Sequence, residues 1–161
     1  MKTNLLLSIC LFLGFSCCKN SGTEDMTRYV DPFIGTAYVG HTHPAAQLPF
    51  GMVQVGPDTG TDTWEHCSGY FAGDSSIIGF SHTHLSGTGC PDMGDIMFMP
   101  VVSEVRFNAG SPENTTSGYR SRFSHQNEEA HPGYYKVKLD DSGVLAELTA
   151  TKRVGFHRYT F

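Results

Sequence analysis

The chain has 161 residues, 39% of them hydrophobic and 17% charged, which is enough for one domain with a real core but not obviously for two. Its formal net charge is −5 at pH 7 and it contains no basic block. Nucleic acid is therefore a poor partner, because phosphate binding needs clustered Lys and Arg.

Residues 1–18 read as a lipoprotein-type signal segment. Lys2 precedes an apolar run from Leu5 to Leu13, and Gly14 and Ser16 lead into Cys17 and Cys18. The run is too short to span a bilayer, which takes about 20 residues. A Cys closing such a run resembles a bacterial lipoprotein processing site, with Cys17, or else Cys18, as the lipidated residue. The sequence thus predicts an exported protein in the periplasm or at the cell surface, held to a membrane by its lipid. Residues 19–27 are polar and read as a tether. Residues 28–161 form the domain. Its two cysteines are Cys67 and Cys90; an oxidising compartment permits a disulfide, and two buried free thiols fit the sequence equally well.

No window carries a helical apolar repeat free of Gly or Pro. Strand patterns are plentiful. Residues 29–34 read as an edge strand or strand start, interrupted by Pro32. Residues 52–55 read as a second strand, ended by a turn at Gly56-Pro57-Asp58. Residues 77–80 and 96–102 give a third and a fourth, the last apolar nearly throughout, as in a strand covered on both faces. Residues 108–126 read as a loop with one strand near Tyr119 to Phe123. Tyr135, Val137 and Leu139 then alternate with Lys136 and Lys138. Asp140-Asp141-Ser142-Gly143 reads as a hairpin turn, followed by alternating Val144, Ala146 and Leu148 and a last strand at 154–161. The predicted fold is all-β, an antiparallel β-sandwich. The chain stops at Tyr159-Thr160-Phe161 within that strand, which reads as a fragment of a longer protein.

Chemically capable residues crowd into 35–51, 58–70 and 80–95. Two His-x-His pairs stand out, His41/His43 and His82/His84. On a strand such pairs share a face about 6.6 Å apart and can hold zinc or copper, with Cys90, Asp92 or Asp95 completing the set. The competing reading makes them polar contacts that order a Gly-rich loop. Trp64, the only Trp, suits either a platform for a sugar face or a core position at one end of the sandwich. Asp58, Asp62, Glu65 and Asp74 are candidate acids or bases, though loop acids are mostly solvated. Ser81 and Ser86 lie near His but outside a nucleophile elbow.

The segments YVDPFIGT (29–36), GHTHPAAQLPFGMVQVGPDT (40–59), WEHCSGY (64–70) and IIGFSHTHLSGTGCPDMGDIMFMP (77–100) resemble the N-terminal domain of glycoside hydrolase family 92. That family comprises calcium-dependent exo-acting α-mannosidases of Bacteroidetes type. The resemblance runs from about Tyr29 to the end and is weaker after Pro100. It implies a β-sandwich packed on a C-terminal (α/α)6 barrel that this chain lacks. It also implies an inverting hydrolase acting on terminal α-mannosyl residues of N-glycans or mannans. The general acid, the base and most calcium contacts would come from the barrel, so no catalytic or metal-binding residue maps to this chain, and the fragment alone would not catalyse. By the same resemblance Trp64 is the foremost sugar contact, with Cys67, His82 and His84 behind it. Departures fall on the sugar-facing loops: Ala37-Tyr38 where the family is Gly-rich, His43-Pro44-Ala45-Ala46 for Phe-Pro-Gly-Ala, and His66 at a commonly aromatic position. The alternatives are a free-standing carbohydrate-binding lipoprotein and a His-based metal-binding domain.

Overall fold

The computed structural model describes residues 24–102 and 104–161. The signal segment, Cys17, Cys18 and most of the tether lie outside the described residues. Within them the fold is all-β. Three short 3-10 turns, Met26–Tyr29, Trp64–His66 and Thr115–Ser117, are the only helical elements among the described residues.

Two antiparallel sheets form the sandwich. The smaller contains β1 (Ala46–Gln47), β2 (Gln54–Asp58) and β4 (Gly79–Ser81), in the order β1-β2-β4. The larger contains β3 (Ser76–Ile77), β5 (Ser121–His131), β6 (Tyr134–Leu139), β7 (Leu145–Ala150) and β8 (Gly155–Thr160), in the order β3-β5-β6-β7-β8. The alternation read along β6 and β7 sets their inner faces. Tyr135, Val137 and Leu139 are buried, as are Ala146 and Leu148. Leu139 donates its N–H to the Val144 carbonyl at 2.9 Å, closing the predicted turn. β1 and β2 lie against β7. Ala46 and Val55 therefore share one core with Val137, Ala146 and Leu148, and each Val or Leu removed from water contributes about 1.5–3 kcal/mol.

Elsewhere the structure corrects the sequence reading. Residues 29–34 form no strand; they run through a 3-10 turn and a following turn. The second strand continues through Pro57 and Asp58, where a turn is predicted. Gln54 N–H bonds to the His82 carbonyl and Ile78 N–H to the Asp58 carbonyl, so the even-numbered residues of β2 face β4. The nitrogen of Pro57 points to the other side, where β1 reaches only Gln54 and Val55, and its missing N–H costs no ladder bond. The run 77–80 is two strands: the chain leaves the large sheet after Ile77 and enters the small one at Gly79. Residues 96–102 make only an isolated bridge, Phe98 with Phe80, and Ile96, Phe98 and Val102 are exposed. Apolar composition without a second pairing partner does not make a covered strand.

The largest difference is β5, a strand of 11 residues that begins at Ser121, within the short strand predicted near Tyr119 to Phe123, and continues to His131. Phe123 pairs with Leu139 but Glu128 pairs with Val137, so the strand bulges between them. Only after the bulge does the Glu128 carboxylate turn inward, accepting from the hydroxyls of Tyr70 at 2.9 Å and Tyr135 at 2.6 Å.

Candidate functional site

The fold brings the three chemically rich segments together at one end of the small sheet. The Gly87 N–H donates to the His41 carbonyl at 2.7 Å, and the Ser68 hydroxyl donates to the Thr42 carbonyl at 2.9 Å. Thr59 N–H bonds to the Gly69 carbonyl at 2.7 Å, closing the 58–70 loop on itself.

Trp64 opens a 3-10 turn on that loop and is 54% exposed, so it is not a core residue. Its indole is held on two sides. The His41 ring meets it edge to face, with 4.8 Å between ring centres. Gly89 lies beneath it, and a Cβ there would come 2.7 Å from the indole Cη2. Hydrogen at position 89 is what lets the indole lie flat against the loop. His41 in turn bonds through Nδ1 to the Thr88 carbonyl at 2.5 Å. That carbonyl only accepts, so Nδ1 carries the proton, and Nε2 of the buried ring has no hydrogen-bond partner.

Near the indole lies a cleft of about 230 Å³ lined by Asp58, His66, Ser68, His84 and Asp92 among others. At its floor are a carboxylate and an imidazole. Asp58, expected as a solvated loop acid, is 1% exposed because β2 carries it under the loop. Its Oδ2 accepts from the Ser81 N–H at 2.9 Å. Its Oδ1 lies 3.2 Å from Nε2 of His84 but is not aligned for a hydrogen bond. Nδ1 of His84 lies 2.7 Å from the Gln54 carbonyl and must donate to it. Burial pushes the His84 pKa down, but the Asp58 carboxylate and the carbonyl acceptors outweigh it and leave the pKa raised. His43 stacks on His84 at 4.9 Å, and burial together with the His84 charge holds its pKa down at about 3, so His43 is neutral.

Of the predicted sugar contacts, His84 lines the cleft, Trp64 and Cys67 lie on the 58–70 loop whose His66 also lines it, and His82 is set apart. Cys67 is fully buried behind Trp64, accepting no solvent, while Cys90 is exposed; both are free thiols. His82 leaves the cleft and faces His157, with 3.1 Å between their Nε2 atoms. Asp62 and Glu65 are exposed, as expected of loop acids. Asp74 instead bonds to Nε2 of His66 at 2.7 Å. Partial burial works against the Asp74 charge, but hydrogen bonds from His66 and Thr59, with the nearby Arg120 charge, together outweigh it and keep the pKa below the usual carboxylate value.

The His-x-His pairs do not converge. His41 turns to Trp64 and His43 to His84, while His82 turns to His157 and His84 to Asp58. No group of three His, Cys, Asp or Glu side chains among the described residues is placed to hold one metal ion. His157, the partner of His82, is the residue that local sequence misses. For His157 a signal was present, since it shares the inner face of the last strand with Tyr159.

The glycosyl hydrolase family 92 N-terminal domain matches residues 29–161, and the chain belongs to that family. A family 92 α-mannosidase from Bacteroides thetaiotaomicron, solved in complex with mannoimidazole, is 47% identical with a TM-score of 0.82, over 84% of this chain and 18% of that one. A family 92 inverting mannosidase from the same organism is 30% identical with a TM-score of 0.64, over 86% of this chain and 18% of that one. An uncharacterized secreted glycosidase of Arthroderma benhamiae is 35% identical over 141 residues, 85% of this chain and 17% of that protein. The chain thus spans less than a fifth of the length of these relatives.

Proposed function

We propose that this chain is the substrate-wall domain of an exported, exo-acting, inverting α-mannosidase that removes terminal α-mannosyl residues from N-glycans or mannans. The observation that carries this reading is Trp64, exposed and pinned between His41 and Gly89 beside the cleft floored by Asp58 and His84. A mannosyl ring stacks on the indole, and its hydroxyls meet the polar side chains that line the cleft, His66 and Asp92 among them. Cys67 and His84 support the wall from behind. In an inverting hydrolase one carboxylic acid protonates the leaving oxygen and a second carboxylate activates water on the opposite face. Both belong to the barrel domain, as does the cage for calcium, whose chemistry would be polarising the sugar hydroxyls. The lipid anchor at Cys17 or Cys18 holds the enzyme at the periplasmic or outer surface.

Four exposed apolar side chains support a covering domain. Tyr38, Phe50, Met93 and Ile96 sit at φ of 54°, 57°, 68° and 55°. That region is unfavourable for side chains, above all for β-branched Ile, and such strain costs on the order of 1–3 kcal/mol per residue. Strain that pushes apolar groups into water is consistent with loops shaped for another surface.

Titration of the purified chain with mannose and mannobiose, followed by Trp64 emission, tests the wall. Binding that Trp64→Ala abolishes supports it; no emission change at any mannoside concentration removes Trp64 from the site. Turnover of an aryl α-mannoside by the chain alone would overturn the assignment of the acid and base to another domain.

A further inference from the structure

His82 follows β4, and His157 lies in the middle of β8. Their Nε2 atoms face each other at 3.1 Å, with ring centres 4.8 Å apart. Nδ1 of His82 lies 2.8 Å from the Ile96 carbonyl, which only accepts, so that nitrogen carries the proton and Nε2 is a lone pair. Nδ1 of His157 lies 2.8 Å from the Tyr159 hydroxyl, which can accept or donate. If the hydroxyl accepts, two lone pairs point at each other and need a cation between them. If it donates, Nε2–H of His157 donates to the Nε2 lone pair of His82, and a metal ion taking that place displaces one proton.

We propose that His82 and His157 form a two-imidazole site for a divalent transition-metal ion, zinc in the first instance. Two nitrogens each about 2.0–2.1 Å from a tetrahedral zinc stand about 3.3 Å apart, close to the observed separation. The outer nitrogens are already oriented by a backbone carbonyl and a hydroxyl, the contacts that fix metal-binding imidazoles. Phe98 flanks both rings edge to face, at 5.6 Å from His82 and 5.5 Å from His157. Gly155 makes room for the His82 ring, since a Cβ there would come 2.7 Å from its Cδ2. Both rings are half-buried, so water can complete the coordination shell. An all-nitrogen pair suits zinc or copper and not calcium, which prefers oxygen ligands. The site is therefore separate from the sugar wall and does not rest on the mannosidase reading. Because His157 belongs to the large sheet and His82 to the end of the small one, the ion would staple the two sheets.

The test is calorimetric titration of zinc chloride into the untagged 161-residue chain near neutral pH, with calcium chloride as a parallel probe. The expected result is one zinc per chain, no heat with calcium, and a weakening by about tenfold or more in His82→Gln and in His157→Gln. His131→Gln, on the far hairpin, should bind as the parent does. In nitrogen-15 spectra of the parent chain, the Nε2 resonances of these two histidines should shift at one equivalent of zinc. Absence of binding, or undiminished binding in the double variant, overturns the site. If a variant fails to fold, the parent spectrum decides: unshifted Nε2 resonances at saturating zinc overturn it.

Discussion

Nε2 of His84 lies 3.2 Å from Oδ1 of Asp58, and both side chains are almost wholly shut off from water. Breaking a buried pair by removing one partner costs about 3–5 kcal/mol, because the other charge stays buried and alone. Asp58→Asn and His84→Gln should each lose stability of that order in urea titrations. The pair also predicts a pH dependence. The folded pKa of His84 is raised above its unfolded value of about 6.5. Its contribution is therefore complete below about pH 6.5 and is lost as pH rises through the folded pKa. His43 does not blur this window, since its pKa is held at about 3. The urea midpoint should fall on the alkaline side in the parent chain, and the step should vanish in His84→Gln. A parent midpoint that is flat from pH 6 to 9, or a step that survives in the variant, would show that His84 is not charged in the folded state.

The elements legible in the sequence are those whose signal is local. β6 and β7 alternate residue by residue around a four-residue turn, so period alone reveals them. β5 beyond Phe123 was not legible because Ser-His-Gln-Asn-Glu-Glu is polar throughout. Its place comes from pairing with β6 and from a bulge whose only inward reward is Glu128 meeting Tyr70 and Tyr135. The stretch at 96–102 shows the converse: apolar residues with no strand beside them. At the site, Trp64 and His84 announced themselves by keeping company with Gly, Ser and Asp. Their partners did not, because contact there is long-range. His157 lies 75 residues from His82, and nothing in either neighbourhood refers to the other.

Gly89 and Trp64 make a second prediction. An indole that is 54% exposed contributes little to the core, so Trp64→Ala should change stability by less than about 1 kcal/mol. Gly89→Ala should act at a distance. Its methyl would stand 2.7 Å from the indole Cη2, well inside contact, so the ring must leave its place beside His41. The chain has one Trp, so its emission reports on that ring alone. Emission in Gly89→Ala should shift to the red, and mannoside affinity should fall with it. Identical spectra for the two chains would mean that Gly89 does not position Trp64.

The two domain cysteines should differ in reactivity. Burial, with the neighbouring Cys90 and Glu65, pushes the Cys67 thiol above its ordinary pKa, whereas Cys90 is exposed. The thiolate is the nucleophile, so Cys67 is doubly protected, by access and by protonation. Brief alkylation of the native chain, mapped by peptide mass spectrometry, should label Cys90 and spare Cys67. Denaturant should expose both. Labelling of Cys67 at the rate of Cys90 in the native chain would indicate that the loop behind Trp64 opens readily.

Glu128 offers a test of what holds the end of the 58–70 loop to the large sheet. Its side chain is 2% exposed, yet both oxygens are occupied: Oε1 by the Tyr135 hydroxyl, and Oε2 by the Tyr70 hydroxyl and Nδ1 of His125 at 2.8 Å. Burial and the Glu128 charge both push the Tyr70 and Tyr135 pKa values upward, so these phenols remain donors even in alkali. Glu128→Ala removes the acceptor and leaves two buried hydroxyls without it, at about 1–3 kcal/mol each. The loss should be partly recovered in Glu128→Ala combined with Tyr70→Phe, which takes away one orphaned hydroxyl. A double-mutant cycle in urea therefore separates bonding from packing. Strict additivity of Glu128→Ala and Tyr70→Phe would mean the hydroxyl and the carboxylate do not interact. The bulge in β5 would then owe its position to the packing of Phe123 instead.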